Sequence, residues 1–123
     1  MALYELGWAN IEINPYNRWY FFARSQGVNV TVFSGGNWRP WWCLWLCTGK
    51  ATLKVDQIDL NANMVGALTG NKIYKNIGRN VDGLDAGETF WGVNPLSAYT
   101  SVRASGVVRL GTHSFEINEN FVF

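Results

Sequence analysis

Residues of unlike polarity alternate with a period of two in several short stretches of the chain. Valines alternate with other residues over 28–33, before the turn sequence Ser34-Gly35-Gly36-Asn37, and related alternation recurs over 52–56, 107–110 and 114–117. A period of two is typical of half-buried β-strands. No stretch of ten or more residues keeps a helical period. The alternation therefore predicts an all-β chain.

Two further stretches are mainly apolar and aromatic. Arg18 to Ala23 and Trp41 to Cys47 have the composition expected of strands that are covered on both faces. The second stretch has a helical alternative, because Asn37 would cap a helix whose first turn contains Pro40. Its aromatic content favours a strand.

The length and the turn residues bound the architecture. The chain has 123 residues, which fits a single β domain covering 1–123. Thirteen glycines and thirteen asparagines interrupt the apolar stretches at short intervals. That spacing predicts a single-domain antiparallel β-sandwich or a small β-barrel.

The chain contains a short internal sequence repeat, which we call the echo. Val55-Asp56-Gln57-Ile58-Asp59 recurs 26 residues later as Val81-Asp82-Gly83-Leu84-Asp85, and the same offset aligns Met64-Val65-Gly66 with Phe90-Trp91-Gly92. Extended by Val93-Asn94, the second unit resembles the repeat of tectonin-type propeller lectins. The resemblance covers less than half of the chain. It implies duplicated, propeller-like β-units and a carbohydrate ligand.

Charge and hydropathy exclude two classes of partner. The net charge is +1 and no basic run occurs, so we expect no nucleic-acid partner. The longest apolar run, 41–47, is too short to span a bilayer. The N-terminus does not read as a signal peptide, so we expect a cytoplasmic protein, or one secreted without a recognisable signal peptide.

The residues that carry chemistry give little support to catalysis. His113 is the single histidine and no Gly-x-Ser-x-Gly motif accompanies it. On a strand, Cys43 and Cys47 would lie about 13 Å apart, beyond disulfide reach, and they lack the partners of a zinc site. We therefore expect no catalytic residue, no metal and no cofactor, and the protein is more consistent with a non-enzyme.

Paired acidic residues also recur along the chain. Asp56 with Asp59 and Asp82 with Asp85 occupy equivalent echo positions, and Glu88 follows the second pair. Their spacing lacks the alternation of a calcium-binding loop. We interpret them as turn residues whose side chains cap nearby backbone groups.

Tryptophan provides the strongest binding signal. The chain has seven tryptophans, and several of them cluster after the Gly35-Gly36 turn, where binding residues often gather. An indole offers a flat apolar face and one N–H donor, which suits a sugar ring or a hydrophobic ligand. The alternative is that these rings fill the core or a subunit interface. The predicted ligand-binding residues are Asn37, Trp38, Arg39, Trp41 and Trp42, joined through the echo by Trp91 and Asn94.

Three functions follow as hypotheses. The first is a non-enzymatic, lectin-like carbohydrate-binding protein that uses an exposed surface of Trp, Asn and Arg. The second is a small β-barrel that encloses an apolar ligand and could act as a cofactor-free cyclase or isomerase. The third is a structural, assembly or toxin protein. Because 48% of residues are apolar and 15% are charged, we also expect a homo-oligomer.

Overall fold

The computed structural model describes residues 2–6, 9–19, 21–34, 52–66, 70–91 and 99–123. These residues form eight β-strands, and none of them lies in a helix. The strands are β1 (Ala2–Glu5), β2 (Ala9–Trp19), β3 (Ala23–Ser34), β4 (Val55–Gly66), β5 (Gly70–Val81), β6 (Gly83–Trp91), β7 (Ser101–Leu110) and β8 (His113–Val122). The prediction of an all-β chain is confirmed.

The strands form two four-stranded antiparallel sheets. The first sheet has the order β1-β2-β3-β6 and the second has the order β5-β4-β7-β8. Buried side chains of both sheets belong to one apolar cluster, which places the core between them. Of the architectures expected from the sequence, this is the β-sandwich.

The period-two pattern decides which residues enter the core. Val28, Val30 and Val32, which carried the alternation of β3, are fully buried. On β4 the inward positions are apolar while Asn61 and Asn63 fall between them. The apolar inward positions of β4 are Ile58, Leu60, Ala62 and Met64. Each sheet therefore buries one face and leaves the other outward, as antiparallel sheets commonly do.

The Gly111-Thr112 sequence makes the turn between β7 and β8. Gly111 has a φ of 65°, a left-handed conformation that glycine adopts without steric cost. Its N–H donates a hydrogen bond of 2.7 Å to Oδ2 of Asp56. The side chain of Asp56 thus caps a backbone group of a turn, which is the role that the sequence predicted for the paired acidic residues.

The expectation for 18–23 is wrong. This stretch is the end of the β2–β3 hairpin, where Trp19 pairs with Arg24 and the chain reverses between them. Phe21 and Phe22 lie in the connection and are 87% and 64% exposed. Aromatic composition predicted a covered strand because the reversal contains neither glycine nor proline. The other aromatic stretch, 41–47, lies outside the described residues.

The internal echo corresponds to one strand in each sheet. Its first unit begins with Val55 at the start of β4, in the second sheet. Its second unit starts at Val81, the last residue of β5, and runs through β6, in the first sheet, to Trp91; its final residue, Gly92, lies outside the described residues. The echoed residues therefore lie in two different sheets of the sandwich.

Candidate functional site

The structure describes one of the seven predicted ligand-binding residues. Trp91 is the last residue of β6, and its side chain is 81% exposed. The remaining six lie outside the described residues, where their role stays a prediction. They are Asn37, Trp38, Arg39, Trp41, Trp42 and Asn94.

Trp91 belongs to the outward face of the first sheet. Along β6, alternate residues share a face, so Thr89 and Gly87 lie on the same side as Trp91. Thr89 pairs with Ser25 of β3, and their hydroxyl oxygens are hydrogen-bonded at 2.6 Å. Ser25 in turn pairs with Arg18 of β2. We call this surface the Trp91 face; it comprises Asn14, Tyr16, Arg18, Ser25, Asn29, Asp85, Thr89 and Trp91.

Tyr16 crosses the Trp91 face over two glycines. Tyr16 pairs with Gly27, which pairs with Gly87. A Cβ added at Gly27 would lie 2.6 Å from the Tyr16 hydroxyl oxygen, and one at Gly87 would lie 2.5 Å from it. The tyrosine side chain therefore extends over both backbones, and the absence of side chains at these two glycines makes the space. Sequence reasoning missed Tyr16, although two glycines within strand patterns signal such a close approach.

Arginine adds charge beside the aromatic surface. The guanidinium of Arg18 lies 5.6 Å from the centre of the Tyr16 ring, within the range of a cation–π contact. Trp91 is four residues beyond Gly87, a distance of roughly 13 Å along a strand. Arg18, Ser25 and Thr89 occupy the row between them. Two aromatic side chains thus flank a polar row.

On the other side of Tyr16 the Trp91 face is polar. Nδ2 of Asn14 donates a hydrogen bond of 2.9 Å to Glu12 Oε1. The hydroxyl of Thr31 donates one of 2.8 Å to Asn29 Oδ1. Asp85 pairs with Asn29, and its side chain is exposed. Amide, hydroxyl and carboxylate groups are the usual hydrogen-bonding partners of a hydroxylated ligand.

Glu88 occupies an inward position of β6, where it pairs with the fully buried Gln26. Tyr74 donates a hydrogen bond to Glu88 Oε2, and Tyr99 donates one of 3.2 Å to the same oxygen. Lys72 Nζ lies 3.5 Å from Oε1. Burial, followed by the hydrogen bond to Glu88, raises the pKa of Tyr74 to about 12. These hydroxyls stay protonated at neutral pH, so both can donate to Glu88, and their hydrogen bonds join the two sheets.

A second polar surface lies on the outward face of the second sheet. It forms an open cleft of about 500 Å³. Its polar lining includes Asn61, Asn63, Lys75, Arg103 and Asn118. Oδ1 of Asn63 is buried and has no hydrogen-bond partner among the described residues, whereas Asn118 Oδ1 accepts a bond of 3.2 Å from Arg103 Nε. The described lining of the cleft contains no tryptophan or tyrosine, so it offers no flat aromatic face for a sugar ring.

The remaining chemistry-bearing residues do not converge in the described structure. His113 is exposed at the start of β8. Asp59 accepts a hydrogen bond of 2.7 Å from Gln57, while Asp56 caps the Gly111 turn. Among the described residues, no group of three or more His, Cys, Asp and Glu side chains is placed to hold a metal ion.

Comparison of the chain with protein-family models, with curated proteins and with solved structures gives no match. Across the described segments, we find no helix that is long and apolar enough to cross a membrane.

Proposed function

We propose that the protein binds carbohydrate without chemically changing it, and that the Trp91 face is the binding surface. The observation that carries the proposal is the 81% exposure of Trp91 at the end of a sheet face that also holds Tyr16 and a row of polar side chains. An exposed indole beside a tyrosine ring and a polar row offers the flat apolar face and the hydrogen-bonding groups that a sugar ring contacts.

The chemistry of a sugar matches both parts of the surface. The C–H face of a pyranose ring packs on an indole, and its hydroxyl groups exchange hydrogen bonds with amides, hydroxyls and carboxylates. The Trp91 face offers these groups along several rows of an outward sheet face. An extended oligosaccharide fits this geometry better than a monosaccharide held in a deep pocket.

The packing of the core favours a ligand on the surface over one enclosed within the fold. Apolar side chains from both sheets meet between them, including Ile11, Ile58 and Val108, which are fully buried. The described core is therefore occupied by the side chains of the protein itself. A barrel-like protein that encloses an apolar ligand would instead need an internal cavity large enough to hold the ligand.

We also propose that the protein acts as a homo-oligomer. An open sugar-binding surface makes few contacts with its ligand, so the affinity of each single site is low. Several copies on one assembly raise the overall avidity through effective concentration, without any new contact.

An array of immobilised glycans tests the proposal. The intact protein should bind one related group of oligosaccharides, and Trp91→Ala should bind the same group much more weakly. The fold of the variant is checked by its far-ultraviolet circular dichroism and melting temperature. Equal binding by the two proteins would move the site away from the Trp91 face, and absence of binding to every glycan would contradict the proposed function.

A further inference from the structure

The connection between β2 and β3 exposes three large aromatic side chains. Trp19, Phe21 and Phe22 are 56%, 87% and 64% exposed. The rings of Phe21 and Phe22 pack edge to face, with their centres 4.3 Å apart. We call Trp19, Phe21 and Phe22 the aromatic tip. Isolated apolar residues are common on protein surfaces, but three aromatic rings within four residues form a patch that needs an apolar partner.

Two arginines stand at the base of the aromatic tip. Arg18 is exposed, and the guanidinium of Arg24 lies 4.0 Å from the centre of the Trp19 ring. Nε of Arg24 also donates a hydrogen bond of 2.8 Å to Asn17 Oδ1, which fixes its position. Between Tyr16 and Gln26 the sequence contains no acidic residue. The base of the tip is therefore cationic, and it is complementary to an anionic surface.

The aromatic tip lies at one end of the first sheet, next to the end of β6, where Trp91 pairs with Ala23. Pairing of β2 with β1 stops at Ile13, whereas pairing of β2 with β3 continues to Trp19 and Arg24. Phe21 and Phe22 lie beyond that last pair. An exposed apolar end of this kind can enter a soft apolar layer.

We propose that the aromatic tip docks on a lipid bilayer that carries anionic headgroups. Phe21 and Phe22 enter the boundary of the acyl chains, and Trp19 lies at the level of the headgroups, where indole is enriched. Arg18 and Arg24 then contact the anionic headgroups. This docking goes beyond the proposed sugar binding and does not depend on it.

Sedimentation with lipid vesicles tests the proposal on the intact protein. Vesicles of phosphatidylcholine with phosphatidylserine should bind it more tightly than phosphatidylcholine alone, and added salt should weaken that binding. The double variant Phe21→Ser, Phe22→Ser should partition into these vesicles about tenfold or more weakly, because it lacks the two rings that enter the bilayer. The matched control is Ile77→Ser on the second sheet, which removes another apolar side chain, 63% exposed, and should leave partitioning unchanged.

Trp19 gives a readout that does not depend on the serine variant. Brominated lipids should quench part of the tryptophan emission of the wild-type protein, and Trp19→Phe should remove that part. The proposal is overturned if the serine variant folds and binds vesicles like the wild type, or if the wild type binds no anionic vesicle. It is also overturned if the serine substitutions change the oligomeric state while vesicle binding is absent, because the tip is then a protein contact.

Discussion

Glu88 is the residue that joins the two sheets through polar contacts at the β5–β6 side of the sandwich. It accepts hydrogen bonds from Tyr74 of β5 and from Tyr99, which precedes β7. Gln26, fully buried on β3, adds a second link, because its amide bonds both the N–H and the carbonyl of Tyr99 at 2.9 Å. Buried polar groups that are fully paired in this way hold a specific packing in place.

The tyrosines predict how stability depends on alkaline pH. Burial and the hydrogen bond to Glu88 raise the pKa of Tyr74 to about 12, from 10.0 for the unperturbed side chain. Burial, followed by its hydrogen bond with Tyr74, also raises the pKa of Tyr99. A group whose pKa is higher in the folded state stabilises the fold at lower pH, and that contribution is lost as pH rises through the folded pKa. Stability should therefore fall as the pH rises from 10 towards 12.

Urea unfolding at several pH values measures this effect. Tyr74→Phe should lower stability at neutral pH, because the hydrogen bond to Glu88 is lost, and its midpoint should then fall less steeply above pH 10. Parallel curves for the variant and the wild type would show that Tyr74 does not carry the alkaline dependence.

At the scale of secondary-structure elements, the period-two alternation predicted several strands but not which strands pair with each other. The valines of β3 and the residues of β7 and β8 were found from period two, because each of these strands has one buried face. Strand β5 was missed because its exposed Ile73 and Ile77 lie on the outward face of an edge strand, which hides the alternation. The hairpin end within 18–23 was wrongly predicted to be a covered strand, because the sequence there contains neither glycine nor proline.

The candidate site was predicted in part, for a related reason. The exposed indole of Trp91 was found because tryptophan is rare and the echo drew attention to it. Tyr16 was missed because its role depends on Gly27 and Gly87, which the register brings beside it from two other strands. Contacts between strands distant in sequence are set by the pairing of the sheet, which period two does not specify.

The end of β8 carries a prediction about stability. Phe121 pairs with Val102, and the N–H of Phe123 donates a hydrogen bond of 3.0 Å to the carbonyl of Thr100. Phe121 and Phe123 also pack against the core, whereas Val122 is 83% exposed. Deleting 121–123 should lower the free energy of unfolding by about 3 kcal/mol, since two partly buried rings are lost.

Chemical denaturation of the deletion variant checks this value. Val122→Ser is the matched control in the same strand, and a surface substitution of this kind should change stability by about 0.5 kcal/mol or less. An unchanged midpoint after the deletion would mean that the last three residues do not contribute to the sandwich.

At the scale of the whole molecule, apolar residues remain on the outside of both sheets. On the second sheet Ile73, Ile77 and Val122 are 57%, 63% and 83% exposed, and the first sheet carries Trp91. Ile73 and Ile77 lie together on the edge strand β5, so contacts between copies through these two side chains would leave the Trp91 face free for ligand. We expect sedimentation velocity to show a homo-oligomer at micromolar concentration. A monomer at every concentration tested would contradict that expectation.

Calorimetric titration of two tryptophan variants tests the central claim most directly. The ligand is the oligosaccharide that binds the wild-type protein best on the glycan array. Trp91→Ala should lose at least about tenfold in affinity, because the ring contact of the exposed indole disappears. Trp19→Ala removes another exposed indole of the same sheet, on the opposite side by strand register, and should bind like the wild type. If both variants fold and bind the sugar equally well, the Trp91 face is not the carbohydrate-binding surface.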